Sequence, residues 1–113
     1  MRLTDLTPYW MKFVSNDEYR IVDSLAEADG LMLLCPVCFE KNGSNVGTHS
    51  VMCWFRNRVP DSTPPNPGRW TPSGHDFRDL TFIEGFPKMA TSVKIEGGCN
   101  AHFFIENGGI RMA

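Results

Sequence analysis

The stretch Leu31-Met32-Leu33-Leu34-Cys35-Pro36-Val37-Cys38 decides how this chain is expected to fold. Its four consecutive apolar residues are too few for a helix and predict a buried strand that ends at the Cys-Pro-x-Cys turn. A second pair of soft ligands with the same spacing, Cys99 and His102, comes near the other end of the chain. Three cysteines and one histidine form a complete ligand set for tetrahedral zinc. We therefore predict a structural Zn²⁺ site formed by Cys35, Cys38, Cys99 and His102.

Length and composition indicate one folded domain that spans residues 1–113. The chain is 42% hydrophobic and 12% aromatic, which is ordinary for a globular protein and too rich for a disordered one. Its net charge of -2 lacks the basic excess that binding to a phosphate backbone requires. Nucleic acid is therefore not the expected partner, and we expect an unknown protein partner instead; the sequence leaves the oligomeric state open.

The sequence also carries signals about the compartment. No apolar run approaches the roughly 20 residues of a membrane helix, and the first ten residues, with Asp5 and Pro8, lack the apolar core of a signal peptide. We expect a cytoplasmic protein without membrane contact. In a reducing compartment four cysteines bind metal more often than they form disulfides.

Most of the remaining chain is predicted to form short strands. The predicted strands are residues 10–14, 31–34, 46–56, 80–84, 92–96, 102–106 and 110–112. The capping-box spacing of Ser24 and Glu27 predicts a short helix over residues 25–29. Asn-Gly pairs at Asn42 and Asn107 are typical of tight hairpins. The Pro-rich segment 59–74 is predicted to be a long loop, because prolines lack backbone donors.

These patterns predict a mainly β (or α+β) fold. The expected architecture is a small antiparallel β domain with one short helix and a zinc-ribbon-like metal staple between the early Cys-Pro-x-Cys turn and the C-terminal hairpin. The two halves of the predicted site are about sixty residues apart. Cross-linking so long a loop removes conformational entropy from the unfolded chain, by roughly 4 kcal/mol in the analogous disulfide model.

A second ligand set lies closer together in sequence and stays open as an alternative. It consists of Cys35, Cys38, His49 and Cys53, whose spacing is typical of a zinc knuckle. Within one strand His49 and Cys53 would be roughly 13 Å apart, so both could reach one ion only if the strand bends. A redox role for the Cys35 and Cys38 thiols is disfavoured, because a Gly/Asn turn is expected after them in place of the helix N-terminus that lowers a thiol pKa.

Two other groups of residues could carry chemistry. Ser73, His75 and Asp76 offer a hydroxyl, an imidazole and a carboxylate, but neighbours in one loop seldom point at each other, and a turn with an Asp cap is favoured. The stretch 54–70 combines tryptophans with arginines that could stack on bases, although packing inside the domain is favoured. Its members are Trp54, Arg56, Arg58, Arg69 and Trp70.

Several motifs resemble those of a family of small, uncharacterised phage and bacterial proteins. They are Cys35-Pro36-x-Cys38, Trp70 after a Pro-rich loop, Leu80-Thr81-Phe82, Cys99-x2-His102-Phe103-Phe104-Ile105 and Asn107-Gly108-x-Ile110. The resemblance spans about residues 31–112, and its C-terminal motif is the most specific part. The chain departs from the family after Thr81, where many members continue with Pro-Ser-Ile.

The resemblance implies the same metal ligands, Cys35, Cys38, Cys99 and His102. Some phage members carry the label ammonia monooxygenase, and some bacterial relatives lie beside ubiquitin-like conjugation genes. A closed thiolate-rich site suits zinc better than a redox-active oxygenase metal, so these residues do not support that label. A phage or prophage protein in the cytoplasm of a bacterial host is the implied source.

Three functions follow as hypotheses. The first is a non-enzymatic interaction module with structural zinc and no catalytic residue, because four protein ligands leave no open coordination position. The second is a metal-dependent hydrolase in which three ligands hold zinc and His49, His75 or Asp76 moves protons. The third is a nucleic-acid binder that uses the Trp/Arg stretch 54–70.

Overall fold

The structure, a computed structural model, describes residues 1–113 and is mainly β, with three antiparallel sheets, so the predicted fold class is confirmed. The strands and the α-helix are β1 (Tyr9–Ser15), β2 (Glu18–Val22), β3 (Gly30–Leu34), α1 (Pro36–Asn42), β4 (Ser50–Trp54), β5 (Arg69–Ser73), β6 (Thr81–Phe86), β7 (Val93–Lys94), β8 (His102–Glu106) and β9 (Gly109–Met112). Two 3₁₀ turns cover Leu3–Leu6 and Leu25–Glu27.

The largest sheet has the strand order β2-β1-β3-β4, and the apolar residues 31–34 form most of β3, one of its two interior strands. Leu31 and Leu33 lie opposite Cys53 and Val51 of β4, and all four side chains are buried on the same face. Alternation along the strands places these residues in the main core, which also receives Phe103 from another sheet. This core face ends where β3 reaches Cys35.

The other two sheets are smaller and close the opposite side of the core. One is the β5–β6 hairpin, and the second has the order β7-β8-β9. Phe103 and Ile105 of β8 are buried, whereas their neighbours in the strand are less so. The hairpin predicted at Asn107 is confirmed: Asn107 and Gly108 have φ angles of 48° and 70° and connect β8 to β9.

Several predicted elements differ in extent. The predicted helix over residues 25–29 is a single 3₁₀ turn at Leu25–Glu27, and the predicted strand 46–56 is shortened to β4 (Ser50–Trp54). Strand β2 was not predicted; its residues are mostly exposed, so apolar periodicity gives little signal there. The segment 59–74 is not a loop throughout, because β5 occupies its end. Pro72 is tolerated there because it lies at a β-bulge of a two-stranded sheet.

The prediction for the residues after Cys35 was wrong. Helix α1 begins at Pro36 and ends at Asn42, so no hairpin forms at Asn42 and the thiols are followed by a helix. Proline at the first helical position loses no intrahelical hydrogen bond, and Gly43, with φ 72°, ends the helix as its left-handed cap. No helix in the protein has the length and apolarity that crossing a bilayer would demand.

Candidate metal centre

The structure brings four side chains together at one end of the main core. They are Cys35, Cys38, His49 and Cys99, whose sulfur and ring-nitrogen atoms all lie within 4.8 Å of one another. The Sγ atoms of Cys35 and Cys99 are 3.7 Å apart, and Nε2 of His49 is 3.4 Å from Sγ of Cys99. All four cysteines of the chain are free thiols. We call this group the metal cluster, because the four residues are close enough to hold a metal ion.

Two separations between ligand atoms can be compared with those of a tetrahedral site. Zinc binds sulfur at about 2.3 Å and nitrogen at about 2.0 Å, which places ligand sulfurs about 3.8 Å apart and sulfur and nitrogen about 3.5 Å apart. The observed 3.7 Å and 3.4 Å agree with these values. A disulfide would need about 2.05 Å between the sulfurs. These two edges of the cluster therefore have the lengths expected around a tetrahedral ion.

Cys35 and Cys38 are positioned by the junction between β3 and α1. Cys35 is the N-cap residue of α1, and Cys38 lies in the first turn of the helix, three residues further on. One helical turn returns the chain to the same side, so the two side chains lie near each other. The carbonyl of Cys35 accepts the first helical hydrogen bond from Phe39 N–H at 2.8 Å. The first ligand pair therefore depends on a helix start that fixes its spacing.

His49 reaches the cluster through the antiparallel ladder of β3 and β4. Its carbonyl accepts a hydrogen bond from Cys35 N–H at 2.8 Å, which makes His49 and Cys35 direct cross-strand partners just beyond the paired strands. Cross-strand partners project on the same face of a sheet. His49 and Cys35 therefore continue the core face formed by Leu33 and Val51, and the cluster lies at the end of that face.

The tautomer of His49 leaves the correct nitrogen free for a metal. Nδ1 of His49 lies 3.4 Å from the carbonyl oxygen of Ser50. A carbonyl oxygen can only accept, so this contact favours a proton on Nδ1. In this tautomer the lone pair is on Nε2 and could bind an ion, whereas without a metal a proton on Nε2 would donate to the Cys99 thiolate instead. Contacts of this kind commonly orient metal-binding histidines.

Cys99 lies in the loop between β7 and β8. Gly97, Gly98 and Asn100 around it all have positive φ angles, a conformation for which glycine and asparagine are suited. Asn100 N–H donates to the Gly97 carbonyl, and the Asn100 side chain accepts from Gly97 N–H at 3.0 Å. The loop is thus tied at its base and presents the Cys99 thiol toward β3.

The metal-free cluster contains thiols of unequal acidity. Burial raises the pKa of Cys35 to about 11, although the nearby backbone N–H groups of Cys38 and Val37 oppose this effect. Burial also disfavours ionisation of Cys99, but His49, the Ala101 N–H and the other two thiols outweigh it and lower its pKa to about 7. A thiolate at Cys99 would supply the first negative charge to an incoming cation.

His102, the predicted fourth ligand, is not part of the metal cluster. Its Nε2 atom lies 3.0 Å from Oγ of Ser92, and its ring stacks with Phe104 at 6.1 Å between centroids. Residues of β8 alternate, with Phe103 and Ile105 in the core, so His102 and Phe104 share the opposite face. His102 has the sequence spacing from Cys99 that a ligand pair requires. However, β8 begins at His102, and the strand directs this side chain away from the metal cluster.

Three of the four residues of the alternative ligand set, Cys35, Cys38 and His49, belong to the metal cluster, and Cys53 does not. His49 precedes β4 and reaches the cluster, whereas Cys53 is fully buried opposite Leu31, four residues further along. Burial raises the pKa of Cys53, as expected for a thiol that packs among apolar groups. The distance along the strand does prevent both residues from reaching one ion, and it is Cys53 that stays in the core.

Two further candidate groups have structural partners. Asp79 and Asp76 both cap the turn after β5: Asp79 accepts from His75 N–H and Asp76 N–H and lies 2.8 Å from Nδ1 of His75, and Asp76 accepts from Arg78 N–H. Within the Trp/Arg stretch, Trp54 and Arg69 are buried. They therefore offer no open surface on which a base could stack.

Comparison with known proteins gives no relatives. No protein-family model matches the sequence, and neither a curated protein nor a solved structure is detectably similar to it. The resemblance to small phage and bacterial proteins therefore stays a prediction, and the function rests on the geometry of the site.

Proposed function

We propose that this protein is a non-enzymatic interaction module whose fold is held together by a structural zinc ion bound to Cys35, Cys38, His49 and Cys99. The observation that carries the proposal is the convergence of four soft ligands within 4.8 Å. Three thiolates and an imidazole suit zinc better than they suit magnesium, calcium or manganese, which prefer oxygen ligands. The same four ligands complete a tetrahedron and leave no position for a substrate, which favours a structural over a hydrolytic role.

The position of the ion explains what it would stabilise. Cys35 and Cys99 are 64 residues apart in sequence, and they lie next to strands of different sheets. The ion would join the end of β3, the start of β4 and the loop between β7 and β8. Because metal binding is coupled to folding, its free energy would add to the stability of the whole domain.

The test compares two histidines. Protein purified without chelator should contain about one zinc per chain, and His49→Ala should lose it while His102→Ala keeps it. One of four ligands accounts for about a quarter of a binding free energy of about 10–16 kcal/mol, so zinc affinity should fall on the order of a hundredfold in His49→Ala. Elemental analysis and competition with a chromophoric chelator measure both effects.

Two cysteine variants complete the comparison. Cys99→Ser should lose zinc as His49→Ala does, whereas Cys53→Ser should retain it because Cys53 lies in the core, away from the cluster. The opposite pattern, with zinc retained by Cys99→Ser and lost in Cys53→Ser, would favour the alternative ligand set of Cys35, Cys38, His49 and Cys53. A wild type without zinc would end the proposal.

A further inference from the structure

We infer that the free edge of β4 binds an extended, positively charged segment of another protein, which would add to the largest sheet as a fifth strand. Strand β4 is the outer strand in the order β2-β1-β3-β4. Such an edge offers backbone donors and acceptors in the geometry that an extended chain requires. This inference rests on the proposed role as an interaction module and adds to it the class of partner.

The phase of the ladder shows which backbone groups of β4 are free. Cys35 N–H donates to the His49 carbonyl. Hydrogen-bonded pairs in an antiparallel ladder recur at every second residue, so the odd-numbered residues of β4 bond to β3. The N–H and C=O groups of Ser50 and Met52 therefore point away from the sheet. No loop or side chain of the protein binds the backbone of Met52.

The free edge has defined ends. Beyond β4, Arg56 N–H donates to the Trp70 carbonyl at 2.9 Å, so pairing with β5 closes the edge there. At the other end His49 belongs to the metal cluster, which fixes the start of the strand. An extended ligand could thus pair with residues 50–53, and a zinc-bound His49 would hold this edge in place.

A cleft of about 580 Å³ runs beside this edge. Its apolar lining includes Met52, Pro64 and Ile95, and the buried Trp54 forms part of its wall. The indole N–H of Trp54 donates to the Pro64 carbonyl at 3.0 Å, so the wall at that end is held in position. The volume lies within the usual range of ligand clefts, and its apolar lining offers contacts for alternate side chains of a bound strand.

The negative charge of the cleft favours a basic partner. Asp17 and Glu18, at the turn between β1 and β2, line the same cleft and are exposed, and the lining contains no lysine or arginine. Carboxylates beside an unpaired strand favour a ligand with lysine or arginine residues. A second copy of this chain is the less suitable occupant, because pairing two β4 edges would bring two sets of these carboxylates to one interface.

The experiment selects binders from a displayed library of short random peptides with the zinc-loaded full chain as bait. The enriched sequences should alternate lysine or arginine with apolar residues. A synthetic peptide of the enriched sequence should shift the amide NMR signals of Ser50 and Met52, the two residues whose backbone groups point outward.

Two variants test the edge and the charge separately. Met52→Pro removes the free N–H without removing a bond to β3 and should abolish peptide binding. The pair Asp17→Lys and Glu18→Lys should weaken binding at least about tenfold and shift selection toward acidic peptides. The matched control is Asp23→Lys with Glu40→Lys, which changes net charge equally at exposed sites outside the cleft and should bind like the wild type.

Several results would overturn the inference. They are selection without basic enrichment, peptide shifts that avoid Ser50 and Met52, binding unaffected by the Asp17/Glu18 reversal, and a concentration-dependent dimer lost in Met52→Pro. If Met52→Pro does not fold, peptide binding by the variant with Asp17→Lys and Glu18→Lys still tests the inference. Zinc content is measured on the same samples. A zinc-loaded protein that binds no peptide would refute peptide binding at the cleft and leave the metal proposal intact. A zinc-free protein that binds the peptide would refute the metal proposal alone.

Discussion

Two regions of the molecule hold distant or irregular segments in place by opposite means. The metal cluster gathers Cys35, Cys38, His49 and Cys99, whose ligand atoms are close enough to hold a cation. The arginine anchor, Arg69 with the carbonyls of the segment that precedes it, supplies its own cation. Arg69 is 2% exposed and donates to the carbonyls of Pro60, Asp61, Thr63, Pro65 and Gly68.

The difference lies in what each region lacks. At the arginine anchor the proline-rich backbone has no strand partner whose N–H groups donate to its carbonyls, and the guanidinium N–H groups donate to them instead. Burial lowers the pKa of Arg69, with Asp61 acting in the opposite direction. Only Nε of Arg69 is buried there without a hydrogen-bond partner. At the metal cluster the side chains contact one another, and an ion could join them. The first region therefore supplies its own cation, whereas the second could take one from solution.

Removing the metal is the strongest way to break the comparison. Treatment of the zinc-loaded protein with a chelator should lower the free energy of unfolding by at least about 4 kcal/mol, which is the loop-closure contribution of a link across about sixty residues, and the binding free energy of the ion adds to it. For a domain of this size that corresponds to roughly 15 °C in Tm. Calorimetry with and without chelator measures the change. An unchanged Tm after complete zinc removal would contradict the structural role of the ion.

Replacing the buried arginine should break the second region and leave the first intact. Arg69→Leu removes five hydrogen bonds, one of them fully buried at the Thr63 carbonyl, which should cost about 3 kcal/mol. Urea unfolding measures the cost, and the zinc content should stay at the wild-type value. Arg56→Leu is the matched control: this exposed arginine pairs with Glu84 at 3.7 Å and should change stability by less than about 1 kcal/mol. Equal costs for the two variants would show that burial does not make the anchor strong.

The exposed pair of His75 and Asp79 should contribute less to stability than either of these two regions. The hydrogen bond to Asp79 raises the pKa of His75 above its ordinary value of 6.5, and the pKa of Asp79 falls through its hydrogen bonds with the N–H groups and ring of the same turn. A raised histidine pKa stabilises the fold below pH 6.5 and loses that effect as pH rises through the folded-state pKa. The lowered pKa of Asp79 stabilises the fold above the ordinary value of 3.8, and this stabilisation is lost as pH falls from 3.8 through the folded-state pKa.

The measurement is an NMR titration of His75. Asp79→Asn should return the pKa of His75 toward 6.5 and change the melting temperature only slightly, because the His75 side chain is 92% exposed. The NMR signals of His102, whose ring contacts Ser92 instead of a carboxylate, are the internal control for an unchanged fold. A His75 pKa that is unmoved in Asp79→Asn would show that the contact is not formed in solution.

The sequence was most informative where periodicity and turn chemistry agree. Residues 31–34 were predicted as a strand and form most of β3, and the Asn107-Gly108 pair forms the predicted turn. It was least informative where exposure hides the pattern, as in β2, and where an arginine organises prolines, as in the segment before β5. Arg69 was predicted only as part of an aromatic and basic stretch, because its five carbonyl partners are invisible to periodicity.

By itself the sequence determined that this is a mainly β chain with thiol ligands near both ends, because ligand chemistry and short-range spacing are local properties. Three of the four predicted ligands, Cys35, Cys38 and Cys99, meet in the structure. Only the tertiary structure decided the fourth position. Strand alternation directs His102 away from the cluster. His49 reaches the cluster through its backbone hydrogen bond with Cys35. These two residues flank different strands, and no local sequence pattern specifies that they pair.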